Sequence, residues 1–99
     1  MAEQPIFRGI VKIELKKPKL YRVILLNDDY TTMDFVIEVL VAIFHKNITE
    51  ATKIMLDVHQ KGKGIVGLYT YDIASTKVAQ VEDMAEKSGF PLKAVMEEE

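Results

Sequence analysis

Cysteine is absent from this chain of 99 residues, and histidine occurs only twice. The absence of cysteine excludes a disulfide framework, a thiolate nucleophile and a thiolate metal site. Two histidines without cysteine also argue against a zinc site. The sequence contains no glycine-rich phosphate loop, no nucleophile elbow and no dinucleotide fingerprint. We therefore expect neither a metal nor a cofactor, and we predict that the protein is not an enzyme.

Charge and hydrophobicity exclude further classes of protein. The formal net charge is −2, which provides no basic face for nucleic acid. Residues 1–5 lack a signal-peptide pattern, and no apolar run reaches membrane-spanning length, so we expect a cytoplasmic protein with no membrane association. Apolar residues make up 48% of the chain, which is enough for one domain with one core.

Hydrophobic periodicity predicts how the first two thirds of the chain fold. Residues 20–26 form a nearly continuous apolar run, which is typical of a buried strand. A helix with Thr31 or Thr32 as its N-cap follows. Thr49 is the expected cap of a second helix, which ends at the glycines of segment 61–64.

The remainder of the chain predicts a strand, a helix and a last strand. Residues 65–71 alternate as a strand does, and Asp72 is the expected cap of a third helix. Gly89 ends that helix, and alternating apolar residues over 92–96 form the last strand. The order of these elements predicts an α+β fold, with helices packed on a small three-stranded sheet.

Three acceptor side chains stand together between the first strand and the first helix. They are Asn27, Asp28 and Asp29. A plain turn is one interpretation, because Asn and Asp are common turn residues. A metal site is disfavoured, since the spacing is not that of a calcium loop and no nearby Glu completes a ligand set. Acid–base catalysis is disfavoured because adjacent carboxylates at a corner point in different directions. Recognition of a small cationic group is the other interpretation that these residues leave open.

Further candidates lie on the helices. His59 is close to the predicted C-terminus of the second helix, where the helix dipole alone would favour it. A ligand-facing acceptor is the alternative role for His59. Met33, Val36 and Val58 are core residues by default, although an apolar face that includes methionine also forms adaptable pockets. Periodicity does not separate these interpretations.

Asn27, Asp28 and Asp29 form what we call the acceptor corner. They belong to the long segment YRVILLNDDYTTMDFVI, residues 21–37. ATKIMLDVH at 51–59, GKGIVG at 62–67 and TKV at 76–78 follow it. These segments resemble the ClpS family, the bacterial adaptors that deliver N-degron substrates to the Clp protease. The resemblance covers about residues 20–97 and implies three helices on a three-stranded antiparallel sheet.

The resemblance also implies partners. The substrates would be proteins or peptides whose free α-amino group and first side chain (Leu, Phe, Tyr or Trp) are bound by a monomeric adaptor. The N-terminal domain of the ClpA or ClpC unfoldase would receive them. The implied residues are Asn27, Asp28, His59 and Thr31 at the amino group, Met33, Val36, Val58 and Leu92 in the side-chain pocket, and Asp72, Thr76 and Lys77 at the unfoldase.

Within that pocket, Met33 would be the gate against β-branched first residues. The resemblance divides the chain into a flexible arm, residues 1–18, and an adaptor domain, residues 19–99. Two departures from the family pattern stand out. Thr32 occupies a position where many members have proline, and Asp72 and Ser75 stand where some members have glutamate. Thr32 can cap the helix in place of proline.

A second interpretation keeps the fold but changes the function. The C-terminal domain of the ribosomal stalk protein has a similar small α+β arrangement and binds translation factors, so fold alone does not decide. Such a module has no use for the acceptor corner. A small hydrolase that uses Asp28 and His59 is the third interpretation.

Overall fold

The structure, a computed structural model, describes residues 17–99. Most of the predicted arm, residues 1–18, therefore lies outside the described residues. The elements in chain order are β1 (Leu20–Leu26), α1 (Met33–Ala42), α2 (Ile48–Lys61), β2 (Lys63–Thr70), α3 (Tyr71–Ser88) and β3 (Lys93–Glu98). Within residues 17–99, no helix has both the length and the apolarity needed to cross a membrane.

The three strands form one antiparallel sheet in the order β2-β1-β3. This arrangement confirms the predicted α+β fold. Leu26, the last residue of β1, pairs with Lys63 on one side and with Lys93 on the other. The corner that follows β1 therefore lies beside the segments that lead into β2 and β3. The sheet register thus brings three chain segments to one end of the molecule.

The helices bury one face of the sheet. Val23 and Leu25 of the central strand are fully buried, and so are Val39 on α1 and Val81 on α3. Burial of each such side chain contributes about 1.5–3 kcal/mol to folding. These residues belong to the hydrophobic core between the helices and the sheet.

Two of the predicted helix caps are wrong, and one is confirmed. Thr32 caps α1, because its hydroxyl accepts a hydrogen bond from the Phe35 N–H at 3.1 Å. The N-cap of α2 is Asn47 and not Thr49, since the Asn47 side chain accepts from the Glu50 N–H at 2.8 Å. Asparagine satisfies a free N–H of the first turn as well as threonine does, so the helix begins two residues earlier.

Asp72 is not the cap of α3. That helix begins at Tyr71, directly after β2, and its N-cap is Thr70, whose side chain makes no capping bond. Asp72 lies in the first turn, where a negative charge is favourable to the helix dipole. The Tyr71 ring packs edge-on against Tyr21, with ring centroids 5.4 Å apart. This packing accompanies a strand that ends one residue earlier, and a helix that begins two residues earlier, than the sequence predicts.

Two glycines fix how α2 approaches the sheet. Gly62 ends α2 in the left-handed conformation, with φ at 88°, as the sequence predicts. A Cβ atom on Gly64 would lie 2.7 Å from Val58 Cγ2 and 3.0 Å from the Ile54 carbonyl oxygen. Only a residue without a side chain allows this approach of α2 to β2. The close contact fixes the last turn of α2, which carries Val58 and His59, against the end of the sheet.

Candidate functional site

The acceptor corner is built around the carboxylate of Asp28. Its Oδ1 accepts hydrogen bonds from the Tyr30 N–H at 2.8 Å and the Thr31 N–H at 2.7 Å. Its Oδ2 accepts from the Thr31 hydroxyl at 2.7 Å. Such local bonds are the reason that aspartate favours turns. They hold the carboxylate in one orientation before any ligand arrives.

The corner keeps a negative charge at all ordinary pH values. Partial burial alone would raise the pKa of Asp28, but hydrogen bonds from the Thr31 hydroxyl, the Thr31 N–H and the Tyr30 N–H lower that pKa below its ordinary value of 3.8. None of the ion pairs formed by residues 17–99 involves Asp28. No cation among these residues therefore neutralises the charge.

The backbone brings the C-terminus of α2 to the same corner. The Asn27 N–H donates to the Gly62 carbonyl at 2.9 Å, and the Gly62 N–H donates to the Val58 carbonyl at 3.1 Å. His59 follows Val58 in the exposed last turn of α2. Asn27, Asp28 and His59, which the sequence separates by some thirty positions, thus come from segments that meet at one end of the sheet.

The four residues predicted for the side-chain pocket fall into two groups. Val36, Val58 and Leu92 are 5%, 2% and 3% exposed and belong to the core. Met33 is 46% exposed at the first position of α1. A residue that gates a pocket must lie at the surface, as Met33 does. Residues that form the floor of a pocket lie beneath the surface, as the other three do. The pocket itself stays a prediction.

The structure adds an open cavity of about 520 Å³ that sequence reasoning missed. It adjoins the acceptor corner, and its lining residues are Leu26, Asn27, Asp28, Asp29, Tyr30, Pro91 and Lys93. Pro91 and Lys93 reach the corner because Lys93 pairs with Leu26 across the sheet. Only the strand register could have revealed this neighbourhood, and the sequence pattern does not determine that register.

The predicted docking residues lie on α3. Asp72 and Thr76 are exposed and one helical turn apart. Lys77 is half-buried, and its ammonium donates to the Ile43 carbonyl at 2.6 Å while lying 5.9 Å from the centroid of the Phe44 ring. Ile43 is the C-cap of α1, so Lys77 connects α3 to the end of α1. No pattern in the sequence indicates this internal role.

We expect Lys77→Met to lower the free energy of unfolding by about 1–2 kcal/mol, because a charged hydrogen bond to a helix-terminal carbonyl is lost. Thermal or urea unfolding followed by circular dichroism measures this change. Thr76→Ala, one position away and exposed, is the matched control and should unfold like the parent chain to within about 0.5 kcal/mol. Equal stability of the Lys77 variant and the parent chain would contradict the internal role of Lys77.

The fold and the corner together define a small binding domain. Within residues 17–99, no group of three or more His, Asp or Glu side chains is arranged to hold a metal ion. What the site offers instead is a fixed carboxylate, neighbouring acceptors and an adjacent cavity, which suit non-covalent recognition.

Comparison with known proteins specifies the class. The model of the family ATP-dependent Clp protease adaptor protein ClpS matches residues 16–95. The ClpS adapter protein of Acetivibrio thermocellus is 62% identical over 99 residues, covering the whole of both chains. The ClpS adapter protein of Syntrophus aciditrophicus is 59% identical over 85 residues, which are 86% of this chain and 79% of that protein.

A solved structure agrees with these sequence relatives. Agrobacterium tumefaciens ClpS2 bound to L-phenylalaninamide superposes with a TM-score of 0.81 at 41% identity, over 84% of this chain and 100% of that one. The chain belongs to the ClpS family, whose members are adaptors of the Clp protease. This membership confirms that the protein is not an enzyme and decides against the ribosomal-stalk and hydrolase interpretations.

Proposed function

We propose that this adaptor binds the free α-amino group and the first side chain of N-degron substrates that begin with Leu, Phe, Tyr or Trp, and that it delivers them to the ClpA or ClpC unfoldase. The observation that carries the proposal is the carboxylate of Asp28, which three hydrogen bonds hold in place and which forms no ion pair within residues 17–99. The proposed setting is the bacterial cytoplasm, with the adaptor acting as a monomer.

The corner has the chemistry that an N-terminal ammonium requires. An ammonium carries a positive charge and three N–H donors, whereas an internal peptide amide has one donor and no charge. Asp28 would supply the anion, Asn27 a carbonyl acceptor and neutral His59 an imidazole acceptor. Thr31 would contribute indirectly, since its hydroxyl orients the Asp28 carboxylate. An internal amide would leave acceptors unpaired, at a cost of about 1–3 kcal/mol each.

The ligand of the Agrobacterium relative supports this assignment. L-phenylalaninamide has a free α-amino group, a benzyl side chain and a neutral amide in place of a carboxylate. It therefore reproduces the beginning of a polypeptide whose first residue is Phe. Because that relative is 41% identical to this chain, its binding of such a molecule supports the proposal that this chain binds ligands of the same chemistry.

The first side chain would pack beside the exposed Met33 and above the nearly buried floor of Val36, Val58 and Leu92. Its burial would contribute about 1.5–3 kcal/mol. Because association costs about 4–15 kcal/mol in lost freedom, we expect micromolar affinity for a single free peptide. Docking of the adaptor to the unfoldase would then raise the effective concentration of the bound substrate.

Delivery would use a different face from substrate binding. We assign docking on the N-terminal domain of the unfoldase to Asp72, Thr76 and Lys77 on α3. The arm, residues 1–18, would be the extension that the unfoldase engages during hand-over. Asp72 and Thr76 are exposed, as such a role requires, whereas Lys77 would act partly by holding the end of α1 in place.

The binding of an amino-terminal cation should depend on pH in a defined direction. The α-amino group of a peptide has a pKa of about 7.7–8.0, so raising the pH from about 7 to about 9 should weaken binding about tenfold as the ammonium loses its charge. Asp28 remains ionised throughout, because its pKa lies below the ordinary value. Fluorescence anisotropy of a labelled Phe peptide measures the effect, and constant affinity over this range would contradict an ammonium ligand.

The experiment that tests the proposal compares immobilised peptides that differ only in their first residue. The parent chain should be retained by peptides that begin with Leu, Phe, Tyr or Trp, and should pass through those that begin with Ala, Ser or Ile. Equal retention by all of these peptides, or by none, would reject the proposal.

A further inference from the structure

We infer that the cavity beside the acceptor corner is a second substrate subsite, which accepts an apolar side chain from the second or third residue of the bound polypeptide. The inference rests on the proposed function, because it requires a substrate whose amino terminus lies at Asp28. It goes beyond that function by extending recognition past the first residue.

The cavity lies next to the proposed amino-group site. The cavity of about 520 Å³ shares Asn27 and Asp28 with the proposed amino-group site. Successive Cα atoms are about 3.8 Å apart, so the second and third residues of a chain that begins at Asp28 lie within about 4–8 Å of its first Cα atom. A cavity lined by the same two residues is therefore within reach of the second and third side chains of the substrate. Successive side chains of an extended chain point to opposite sides, so one of these two would face the cavity.

The walls supply the second argument. Leu26 at the end of β1 and Pro91 before β3 form apolar walls on the framework of the sheet. Leu92, which follows Pro91, is only 3% exposed and anchors that segment in the core. Because these walls are already ordered, little conformational entropy is lost when a side chain packs on them.

Tyr30 is the third argument. Tyr30 is 78% exposed, although its backbone N–H is held by Asp28 at 2.8 Å. The ring is therefore presented at the cavity by a fixed backbone, with most of its surface available for contact. Exposed aromatic rings in such positions are typical binding anchors, because they offer a large contact area with few rotatable bonds.

Charge defines the class of side chain. The rim carries a carboxylate on Asp29 and an ammonium on Lys93, both exposed. Because these two charges are opposite, the rim has no net preference for an acidic or a basic substrate residue. The preference then depends on the uncharged walls, formed by Leu26, Tyr30 and Pro91, which favour an aliphatic or aromatic side chain.

The test uses the full chain and three peptides that begin Phe-Ala-Ala, Phe-Leu-Ala and Phe-Ala-Leu and are otherwise identical. Titration calorimetry should show that one of the two leucine peptides binds about 5- to 10-fold more tightly than Phe-Ala-Ala. Tyr30→Ala should reduce this gain to less than about twofold and leave the affinity for Phe-Ala-Ala unchanged. Tyr71→Ala, which removes an exposed tyrosine on α3, is the matched control and should keep the full gain.

The remaining outcomes separate the subsite from the proposed function. Equal affinities for the three peptides would overturn the subsite while leaving recognition of the first residue intact. A changed preference for the first residue in Tyr30→Ala would also overturn it, because the cavity would then hold the first side chain. Failure of every free peptide to bind would overturn the proposed function, and the subsite with it.

Discussion

Asp28→Asn is expected to weaken the binding of a Phe-initiated peptide by about 10- to 100-fold, because a charged hydrogen bond to the ammonium, worth about 1.5–3 kcal/mol, becomes a neutral one. Asparagine keeps the Oδ1 acceptor that holds the Tyr30 and Thr31 N–H groups. The variant therefore removes the charge and keeps the two backbone hydrogen bonds of the corner. Titration calorimetry measures the loss.

Two further variants test whether the loss of affinity in Asp28→Asn comes from the charge at this position. Asp34→Asn makes the same change in net charge at an exposed position in the first turn of α1, and should bind like the parent chain. Asp28→Ala removes both the charge and the three local hydrogen bonds, so it should lose binding and also loosen the corner. Full binding by Asp28→Asn would show that the charge at this corner is not used.

The same carboxylate links the corner to acid stability. The pKa of Asp28 is lower in the folded chain than its ordinary value of 3.8. Its hydrogen bonds therefore contribute stability that is fully present above pH 3.8 and is lost as the pH falls through the lower, folded value. Near neutral pH this contribution is constant, so changes in binding there report on the ligand and not on the corner.

Met33→Ala is expected to change which first residues are accepted. Met33 is 46% exposed at the start of α1, and the proposed pocket floor of Val36 and Val58 is almost fully buried. Removing the thioether side chain should admit peptides that begin with Ile or Val, with a gain of about 10-fold or more, because the branch at Cβ no longer meets the gate. Anisotropy titrations with Ile- and Phe-initiated peptides measure the ratio of the two affinities.

The matched control for the gate is Val41→Ala, which removes an exposed apolar side chain near the other end of α1. It should leave the ratio of Ile to Phe affinities unchanged. An unchanged ratio in Met33→Ala as well would remove Met33 from the gate and would leave the selectivity to other residues of the pocket.

The sequence predicted the elements better than their ends. Apolar runs and glycine stops identified β1 over Leu20–Leu26 and the left-handed ends at Gly62 and Gly89, because those signals are local. The caps at Asn47 and Thr70 were missed, since several neighbouring polar residues can start a helix and tertiary packing selects among them. Local chemistry therefore predicts that an element exists more reliably than where it begins.

The site was predictable only in part, for a similar reason. The residue types at Asn27, Asp28 and Asp29 suggested cation recognition, and the family resemblance assigned His59, until then one of two open interpretations, to the same site. The cavity between Tyr30 and Pro91 depends on the pairing of Leu26 with Lys93, a contact between residues far apart in the chain. The internal bond from Lys77 to the Ile43 carbonyl is likewise a product of packing between α3 and α1.

If the chain recognises the beginning of a polypeptide through its free ammonium, as we propose, then blocking that group should abolish binding. A peptide with Phe as its first residue is titrated into the full chain in the calorimeter, and the same peptide with its amino terminus acetylated follows. We expect micromolar binding of the free peptide and no measurable heat with the acetylated one, because acetylation removes the charge and two of the three N–H donors. Equal binding of the two peptides would contradict the proposal.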